Sequence, residues 1–371
     1  MITIGLLVMF VGFLSPLSTK AVNNIFYALV ILPLIGVLFI DKGKSITTGK
    51  NFRLFIGFIL LSSLPIIISG DIQGVRHIVY AVCFWVTVSS ITYKHKKRLD
   101  SAIKIACILV ILFACTLLFI HFVIHGAPLS TRPNFWATWR SGNPIIVSMF
   151  ISLFCIMFCS KLFLEKKVLT AFTLFIFASF LILLFQTKAG LFGFVIAIPT
   201  LLFIRIFEGK ADKNLYILFF AGLSITLSLA YLVYLTGFID QMLSKGDSHR
   251  LKIYDLIIHE YIQCGSLIGC GYNYEIQSTL HNKTILAHPH SVYLSQLLYF
   301  GLPSVILLIS LQVKSFFMAR KIVPNIAVGI LVSAIFLLVD GSKLINNPNP
   351  TWLFFFLPLA IIDGLSTTKE V

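Results

Sequence analysis

The chain has 371 residues, of which 58% are hydrophobic and only 12% charged, and its mean hydropathy is +0.96. Soluble domains carry roughly a quarter charged residues, so this composition excludes a soluble globule as well as disordered and disulfide-scaffold classes. The net charge is +15, but no phosphate-binding glycine loop, zinc-ligand pair or basic–aromatic RNA motif accompanies it, so no nucleic-acid partner is expected. What remains is an integral membrane protein that contacts bilayer lipids.

Twelve continuous apolar blocks follow one another along the chain, whereas a transmembrane barrel requires short alternating segments. Each block is close to the roughly 20 residues with which a helix crosses a bilayer. We therefore predict an all-α polytopic membrane protein with about 12 transmembrane helices, which form a single integral membrane domain over residues 1–371. The blocks lie at about 2–18, 22–40, 54–69, 77–93, 105–125, 144–160, 168–186, 190–206, 215–237, 291–312, 322–339 and 351–365.

The basic residues between the blocks predict the orientation of the chain. If the N-terminus lies inside, 19 of the 29 Lys and Arg residues fall in inside segments. The positive-inside rule then places both termini in the cytoplasm. The segment of about 238–290, between the ninth and tenth blocks, becomes a large extracytoplasmic loop, which is periplasmic in a bacterium.

The outer loop at about 126–143 carries Arg132 and Arg140 around the indoles of Trp136 and Trp139. One interpretation is an aromatic belt with interfacial arginines. The other is a binding surface on which indoles stack on sugar rings and guanidinium groups hold phosphate oxygens. The residues alone leave both open.

The large outer loop begins with a predicted amphipathic helix at about 248–263, with Arg250 near its N-terminal end. Leu251, Tyr254, Ile258 and Tyr261 form its expected apolar stripe, which would lie on the membrane or on the helix bundle.

A glycine-rich stretch follows this helix, because Gly265, Gly269 and Gly271 predict turns. Cys264 and Cys270 flank its beginning. They can pair only if the loop faces an oxidising compartment, so the sequence leaves the disulfide open.

His288 and His290 stand immediately before the apolar block that begins at Val292. A neutral imidazole at the outer end of a span can accept a proton near pH 7, although a histidine that caps the span or bonds a headgroup is the structural alternative. Once the helix has begun, only one of the two rings is expected to point at a given site. No carboxylate or third ligand follows at a recognisable spacing, so neither a metal nor a cofactor is expected.

Lys188 lies in the segment Gln186-Thr187-Lys188-Ala189-Gly190, a tight turn between two apolar blocks. A lysine there often extends its ammonium group to the membrane surface without further role. Charges at membrane depth are functional when they face a cavity.

Taken in order, these motifs resemble the O-antigen ligase / O-antigen polymerase superfamily. His290-Ser291, followed after nine residues by Gly301-Leu302-Pro303-Ser304, is similar to the ligase pattern, with Ser304 where Gly, Thr or Tyr is usual. The turn at 186–189 resembles the family's Gln-Thr-Arg-Ala with Lys in place of Arg. Arg250-Leu251 resembles the Arg that opens the family's large loop, and residues 267–272 resemble its glycine-rich turn.

The resemblance implies a GT-C-like glycosyltransferase of the bacterial inner membrane whose active site faces the periplasm. Its donor would be an undecaprenyl-diphosphate-linked glycan. A ligase transfers this glycan to a sugar hydroxyl of lipid A-core, its acceptor partner, whereas a polymerase transfers it to another lipid-linked repeat unit. The family's ligases work without a metal.

In that chemistry, His290 is the expected general base. Arg250 and Lys188, with Arg132 and Arg140 behind them, are expected to stabilise the leaving diphosphate. Trp136, Trp139 and His288 are the remaining candidate substrate contacts.

Gly301 is expected on the same face of one continuous helix as His290, because eleven residues at 100° each return to within about 20°. There it would admit a neighbouring helix or a lipid tail.

The ligase is favoured over the polymerase because the pattern from His290 to Gly301 is closest to the ligase form. A lipid-linked glycan flippase is the third hypothesis. It would require several charges inside the spans, and these spans carry almost none.

Overall fold

A computed structural model describes residues 2–40, 46, 48–135, 137–139, 141–207, 209, 250–280, 284–285 and 288–367, with isolated positions between 210 and 249. These residues are predominantly helical, and two two-residue strands, β1 (Thr279–Leu280) and β2 (Thr284–Ile285), pair antiparallel. The ninth predicted block, 215–237, lies almost entirely outside the described residues. The helices are α1 (Ile2–Phe13), α2 (Thr19–Ile40), α3 (Phe52–Ser69), α4 (Ile72–Lys94), α5 (Lys96–Ile124), α6 (Pro144–Leu164), α7 (Val168–Leu184), α8 (Lys188–Phe207), α9 (Arg250–Cys264), α10 (Val292–Phe300), α11 (Leu302–Ile322), α12 (Pro324–Val339), α13 (Thr351–Phe354) and α14 (Phe356–Leu365).

Seven of these helices, α2, α3, α4, α5, α6, α8 and α11, are long and apolar enough to cross a membrane. Helices α1, α7 and α12 and the pair α13–α14 are apolar but shorter than 18 residues. The described chain is thus a polytopic helical bundle of the membrane type. Its lipid-facing character shows in large apolar side chains that stay exposed, such as Phe39 at 81% and Leu169 at 80%.

Aromatic side chains fill the centre of the bundle. Phe55 of α3 stacks on Trp85 of α4 with ring centroids 4.2 Å apart, and Phe150 of α6 stacks on Phe354 of α13 at 4.9 Å. Such rings provide large contact areas between helices. These contacts matter in a bilayer, because lipid tails are as apolar as the helix surfaces and the hydrophobic effect does not bring the helices together.

One end of the bundle, which we call the inner end, is built around the fully buried carboxylate of Asp363 in α14. It accepts hydrogen bonds from the backbone N–H of Gly49 (3.0 Å) and of Asn51 (2.9 Å) and from the Trp85 indole (3.1 Å). The Asn51 side chain in turn donates to Ser315 of α11 at 2.8 Å. Segments that the charge bias assigns to the inside therefore contact one another.

The opposite end, which we call the outer end, carries the described residues of the segments 70–77, 126–143, 250–290 and 340–350. These segments also contact one another. Tyr254 of α9 donates to the carbonyl of Leu338 at 2.8 Å, and His77 Nδ1 lies 2.6 Å from the Tyr272 hydroxyl. The structure therefore sorts the loops into the same two groups as the charge bias.

A buried polar network joins the outer half of three helices. Ser304 of α11 lies 2.8 Å from Ser62 of α3, and the Gln296 amide of α10 donates to Ser62 at 2.9 Å and to Ser304 at 2.5 Å. Ser304 is the residue that departs from the family pattern. In the structure its hydroxyl is a buried polar group, which requires a hydrogen-bond partner. Its contacts with Ser62 and Gln296 link α11 to α3 and α10.

The expectation of one continuous helix at 291–312 is wrong. Ser291 accepts a hydrogen bond from the backbone N–H of Leu294 and caps α10, so His290 precedes the helix. Gly301, with φ +83°, then separates α10 from α11. Gly301 packs against the backbone of the glycine-rich turn, where the N–H of Leu302 donates to the carbonyl of Leu267 at 3.1 Å. It fixes this turn rather than admitting a lipid tail beneath His290.

The predicted amphipathic helix is confirmed as α9, but its buried face differs from the expected stripe. Ile253, Ile257 and Glu260 are the buried residues, whereas Leu251 and Ile258 are 71% and 41% exposed. Apolar residues lie on both sides of α9, so periodicity alone could not select the face that contacts the bundle.

We predict that Gly301→Ala destabilises the protein by at least about 2 kcal/mol, because φ +83° and ψ 172° suit only glycine and an added Cβ would lie 2.0 Å from the Leu267 carbonyl oxygen. Thermal unfolding in detergent measures the effect. Gly36→Ala in α2 is the matched control, since nothing lies within 4 Å of its Cβ position, and it should unfold at or slightly above the wild-type temperature. Equal melting temperatures for both variants would contradict this role of Gly301.

Candidate functional site

The outer end encloses a cavity of about 1000 Å³. Its walls are the start of α4, the glycine-rich stretch after α9, the residue His288 and the loop between α12 and α13. The lining combines amide, hydroxyl, aromatic and titratable side chains. A large, partly polar cavity of this kind is a candidate ligand site.

The two histidines stand at the edge of this cavity in an irregular segment. His290 has φ +53°, a left-handed conformation that is unusual for a residue with a side chain. Its ring centroid lies 4.0 Å from that of His288. Both residues precede α10, so the condition under which only one ring is expected to point at the site, a helix that has already begun, is not met.

A carboxylate joins the pair from a distant part of the sequence. Asp340, the residue after α12, places Oδ1 3.7 Å from His290 Nδ1, with side chains 13% and 38% exposed respectively. The ligand atoms of His288, His290 and Asp340 all lie within 4.8 Å of one another. Sequence spacing could not show this carboxylate, because tertiary contact alone brings it to the histidines.

Two guanidinium groups lie in the electrostatic range of this carboxylate. Burial acts to raise the pKa of Asp340, but His290, the Gly341 N–H and, more weakly, Arg250 together hold it below its usual value. Burial lowers the pKa of Arg132, and the nearby charge of Arg250 lowers it further. We call His288, His290, Asp340, Arg132 and Arg250 the outer cluster. Four of its five members are residues that the sequence singled out.

The outer cluster contains a set of donors that could hold a metal, contrary to the expectation that the histidines lack a carboxylate. Two imidazoles and one carboxylate are a known ligand combination. The two arginines disfavour a metal ion at this position, because they repel a divalent cation and already interact with the carboxylate of Asp340. The arrangement suits an anion at the arginines better than a cation at the histidines.

Of the other predicted residues, Lys188 and Trp139 are described by the structure and two lie outside the described residues. Lys188 is exposed at the start of α8, and the adjacent Gln186 donates to the carbonyls of Leu129 (3.3 Å) and Ser130 (3.2 Å), which ties this turn to the loop that carries Arg132. Trp139 packs against Phe113 of α5 at 5.6 Å between ring centroids. Trp136 and Arg140 lie outside the described residues.

The glycine-rich stretch is braced by a disulfide between Cys264 and Cys270, whose Cα atoms lie 5.5 Å apart. The N–H of Cys270 donates to the carbonyl of Leu298 in α10 at 2.7 Å. This brace connects the end of α9 to the helix that follows the histidines.

The loop at 340–350 was missed as a source of functional residues. It contributes Asp340 to the outer cluster and Lys343, Asn346, Asn347 and Asn349 to the cavity wall. Its signal is visible in the sequence, since a polar stretch with an acid, a lysine and three asparagines separates two apolar blocks.

Comparison with known proteins adds no relative. Neither a protein-family model nor a curated protein matches the chain significantly.

We predict that acidification destabilises the protein through His288. Burial, and secondarily the charge of His290, lowers the pKa of His288 in the folded state, so below the ordinary value of 6.5 the unfolded chain binds the proton better. The folding stability that this pKa shift contributes is fully present above pH 6.5 and decreases as the pH falls. The melting temperature of His288→Gln should therefore fall less between pH 7 and pH 5 than that of the wild type. His259→Gln in α9, an exposed position, should keep the wild-type slope; an unchanged slope in His288→Gln would contradict the prediction.

Proposed function

We propose that the chain is a bacterial membrane glycosyltransferase of the O-antigen ligase type, which transfers an undecaprenyl-diphosphate-linked glycan to a sugar hydroxyl of lipid A-core. The observation that carries this proposal is the outer cluster, in which a histidine is paired with a carboxylate and two arginines lie in electrostatic range of that carboxylate. His288 and Asp340 of this cluster also line the large, partly polar cavity. The outer cluster combines a proton acceptor with an anion site, and both are needed for glycosyl transfer from a diphosphate.

His290 acts as the general base in this proposal. An acceptor hydroxyl loses its proton to His290 while its oxygen attacks the anomeric carbon of the donor. Asp340, 3.7 Å from Nδ1, orients the ring and stabilises the imidazolium that forms, so it is a positioning residue. The pair is wider than a hydrogen bond, which is common before substrate binds.

Arg132 and Arg250 stabilise the leaving group. As the bond between the anomeric carbon and the diphosphate oxygen breaks, negative charge grows on the diphosphate and needs fixed cations. Guanidinium groups present paired donors that match phosphate oxygens. Lys188 is the third cation of the proposal, on a turn that contacts the loop of Arg132.

The proposal also includes a membrane arrangement. Twelve spans with a GT-C-like fold would place the polyprenyl chain in the bilayer and its diphosphate at the outer end. Both termini would lie in the cytoplasm, and the cavity would open to the periplasm of the inner membrane. The disulfide near the cavity is consistent with an oxidising compartment on that side.

The first prediction from this proposal concerns His290 and Asp340. Deletion of the gene should remove all O-chain from lipopolysaccharide on a gel and leave intact core. Neither His290→Ala nor Asp340→Asn should restore the O-chain, because loss of a general base typically lowers the rate 10²–10⁴-fold. His259→Ala, a histidine exposed on α9, should restore the wild-type pattern at equal protein level.

Other gel patterns distinguish the alternatives. Core with a single repeat unit in the deletion strain would indicate a polymerase, and full O-chain in His290→Ala would refute the base. In a purified reaction, a chelator should leave the wild-type rate unchanged. Loss of activity on chelation, together with inactive His288→Ala and His290→Ala, would instead assign a metal to the two histidines and Asp340.

A second prediction concerns Lys188. If it places positive charge near the diphosphate, Lys188→Arg should retain activity and Lys188→Ala should lose most of it. Complementation at equal expression measures the difference. A Lys188→Ala variant close to wild type would show that this lysine only extends to the membrane surface.

A further inference from the structure

The cavity extends beyond the outer cluster into a wall rich in amides. Seven lining residues carry side-chain amides, among them Asn346, Asn347 and Asn349. Amides both donate and accept hydrogen bonds, so they match the hydroxyl groups of sugars. Tyr272, Tyr274 and Tyr299 add aromatic surface to the same wall.

Lys343 places an ammonium group in this wall, whose described residues also include the carboxylates of Glu275 and Asp340. Lys343 Nζ lies 3.9 Å from the ring centroid of Tyr299 and 4.5 Å from that of Tyr272, and it donates to the carbonyl oxygen of Tyr272. These contacts fix its position over two aromatic faces.

The charge of Lys343 is incompletely compensated. Within the described part of the chain it forms no ion pair with a carboxylate, and Asp71 acts on it only at longer range. Burial lowers the pKa of Lys343 to about 8. Asp340, the acid of the same loop, is paired with His290 instead. A half-buried cation without a counter-ion beside an open cavity favours an anionic ligand.

Two further buried polar atoms belong to lining residues near Lys343. Nε2 of His77, a side chain only 4% exposed, and Oδ1 of Asn347 lie close enough to interact, but neither completes a well-aligned hydrogen bond within the described residues. Buried polar atoms of this kind normally have a partner. Both atoms are closed off from solvent, so a ligand group in the cavity would reach them only after the two side chains rotate.

We propose that Lys343, His77 and Asn347, which we call the Lys343 recess, bind a carboxylated sugar of the glycan substrate. The inference rests on the proposed function for the identity of the ligand as a glycan. The diphosphate is assigned to the arginines of the outer cluster, so the cation among the amides receives the acidic group of a sugar. The protein is therefore expected to bind acidic glycans in preference to neutral ones.

Calorimetric titration of the purified protein in detergent tests the recess without any transfer step. The probes are tetragalacturonic acid and its fully methyl-esterified form, which keep the same sugar but differ in charge. Wild type should bind the acid at least tenfold more tightly than the ester, in line with one charge-assisted contact. Lys343→Gln should lose at least tenfold in affinity for the acid and keep its affinity for the ester, and Lys343→Arg should retain most of the preference.

Lys252→Gln is the matched control, because it removes the same charge from an exposed position of α9 and should leave both affinities unchanged. Asn273→Asp adds a negative charge at an exposed position of the cavity wall, so it should weaken binding of the acid without disturbing the interior. Wild-type affinity for the acid in Lys343→Gln, or equal losses in Lys343→Gln and Lys252→Gln, would overturn the recess. Failure of the gel experiments above with a positive titration would overturn the transfer reaction and leave the recess intact.

Discussion

The inability of the bilayer interior to solvate charge is the constraint on which this structure depends. It forces ionisable side chains to the two ends of the bundle, or requires that a buried one be fully hydrogen-bonded. Asp363 shows the second solution, because two backbone N–H groups and an indole satisfy its carboxylate at the inner end. At the outer end the first solution prevails. There the loops fold over the bundle and bring acidic, basic and histidine side chains from separate segments to the wall of one cavity.

The outer loops hold these groups in place through backbone geometry rather than through long ion-pair networks. His290 is held in a left-handed conformation between a proline and the cap residue Ser291. Gly301, which separates α10 from α11, packs against the backbone of the turn that the Cys264–Cys270 disulfide closes. Strain of this kind is retained where the surrounding structure over-determines it, and it clusters at functional sites. The arrangement therefore keeps both imidazoles close to Asp340 before any substrate binds.

Sequence reasoning predicted the parts that depend on local pattern. Continuous apolar blocks predicted the helices, and the charge bias sorted the loops into the two groups that contact one another in the structure. The sequence also singled out His288, His290, Arg132 and Arg250, which the structure brings to the same end of the bundle. Sequence reasoning failed where tertiary contact decides. Asp340 follows His290 by 50 positions, so no spacing rule connects them. The break at Gly301 was missed because helical projection assumes an uninterrupted helix, and the buried face of α9 was missed because apolar residues lie on both of its sides.

The proposed reaction at the outer cluster is the transfer of a glycan from a polyprenyl diphosphate to a sugar hydroxyl. The most direct measurement incubates the purified protein with undecaprenyl-diphosphate-linked glycan and lipid A-core, and quantifies both products by mass spectrometry. We expect glycosylated lipid A-core and free undecaprenyl diphosphate to appear in equal amounts, and Arg250→Gln to slow the formation of both to the same extent. Absence of glycosylated lipid A-core while the donor is consumed, or an unchanged rate in Arg250→Gln, would contradict the proposal.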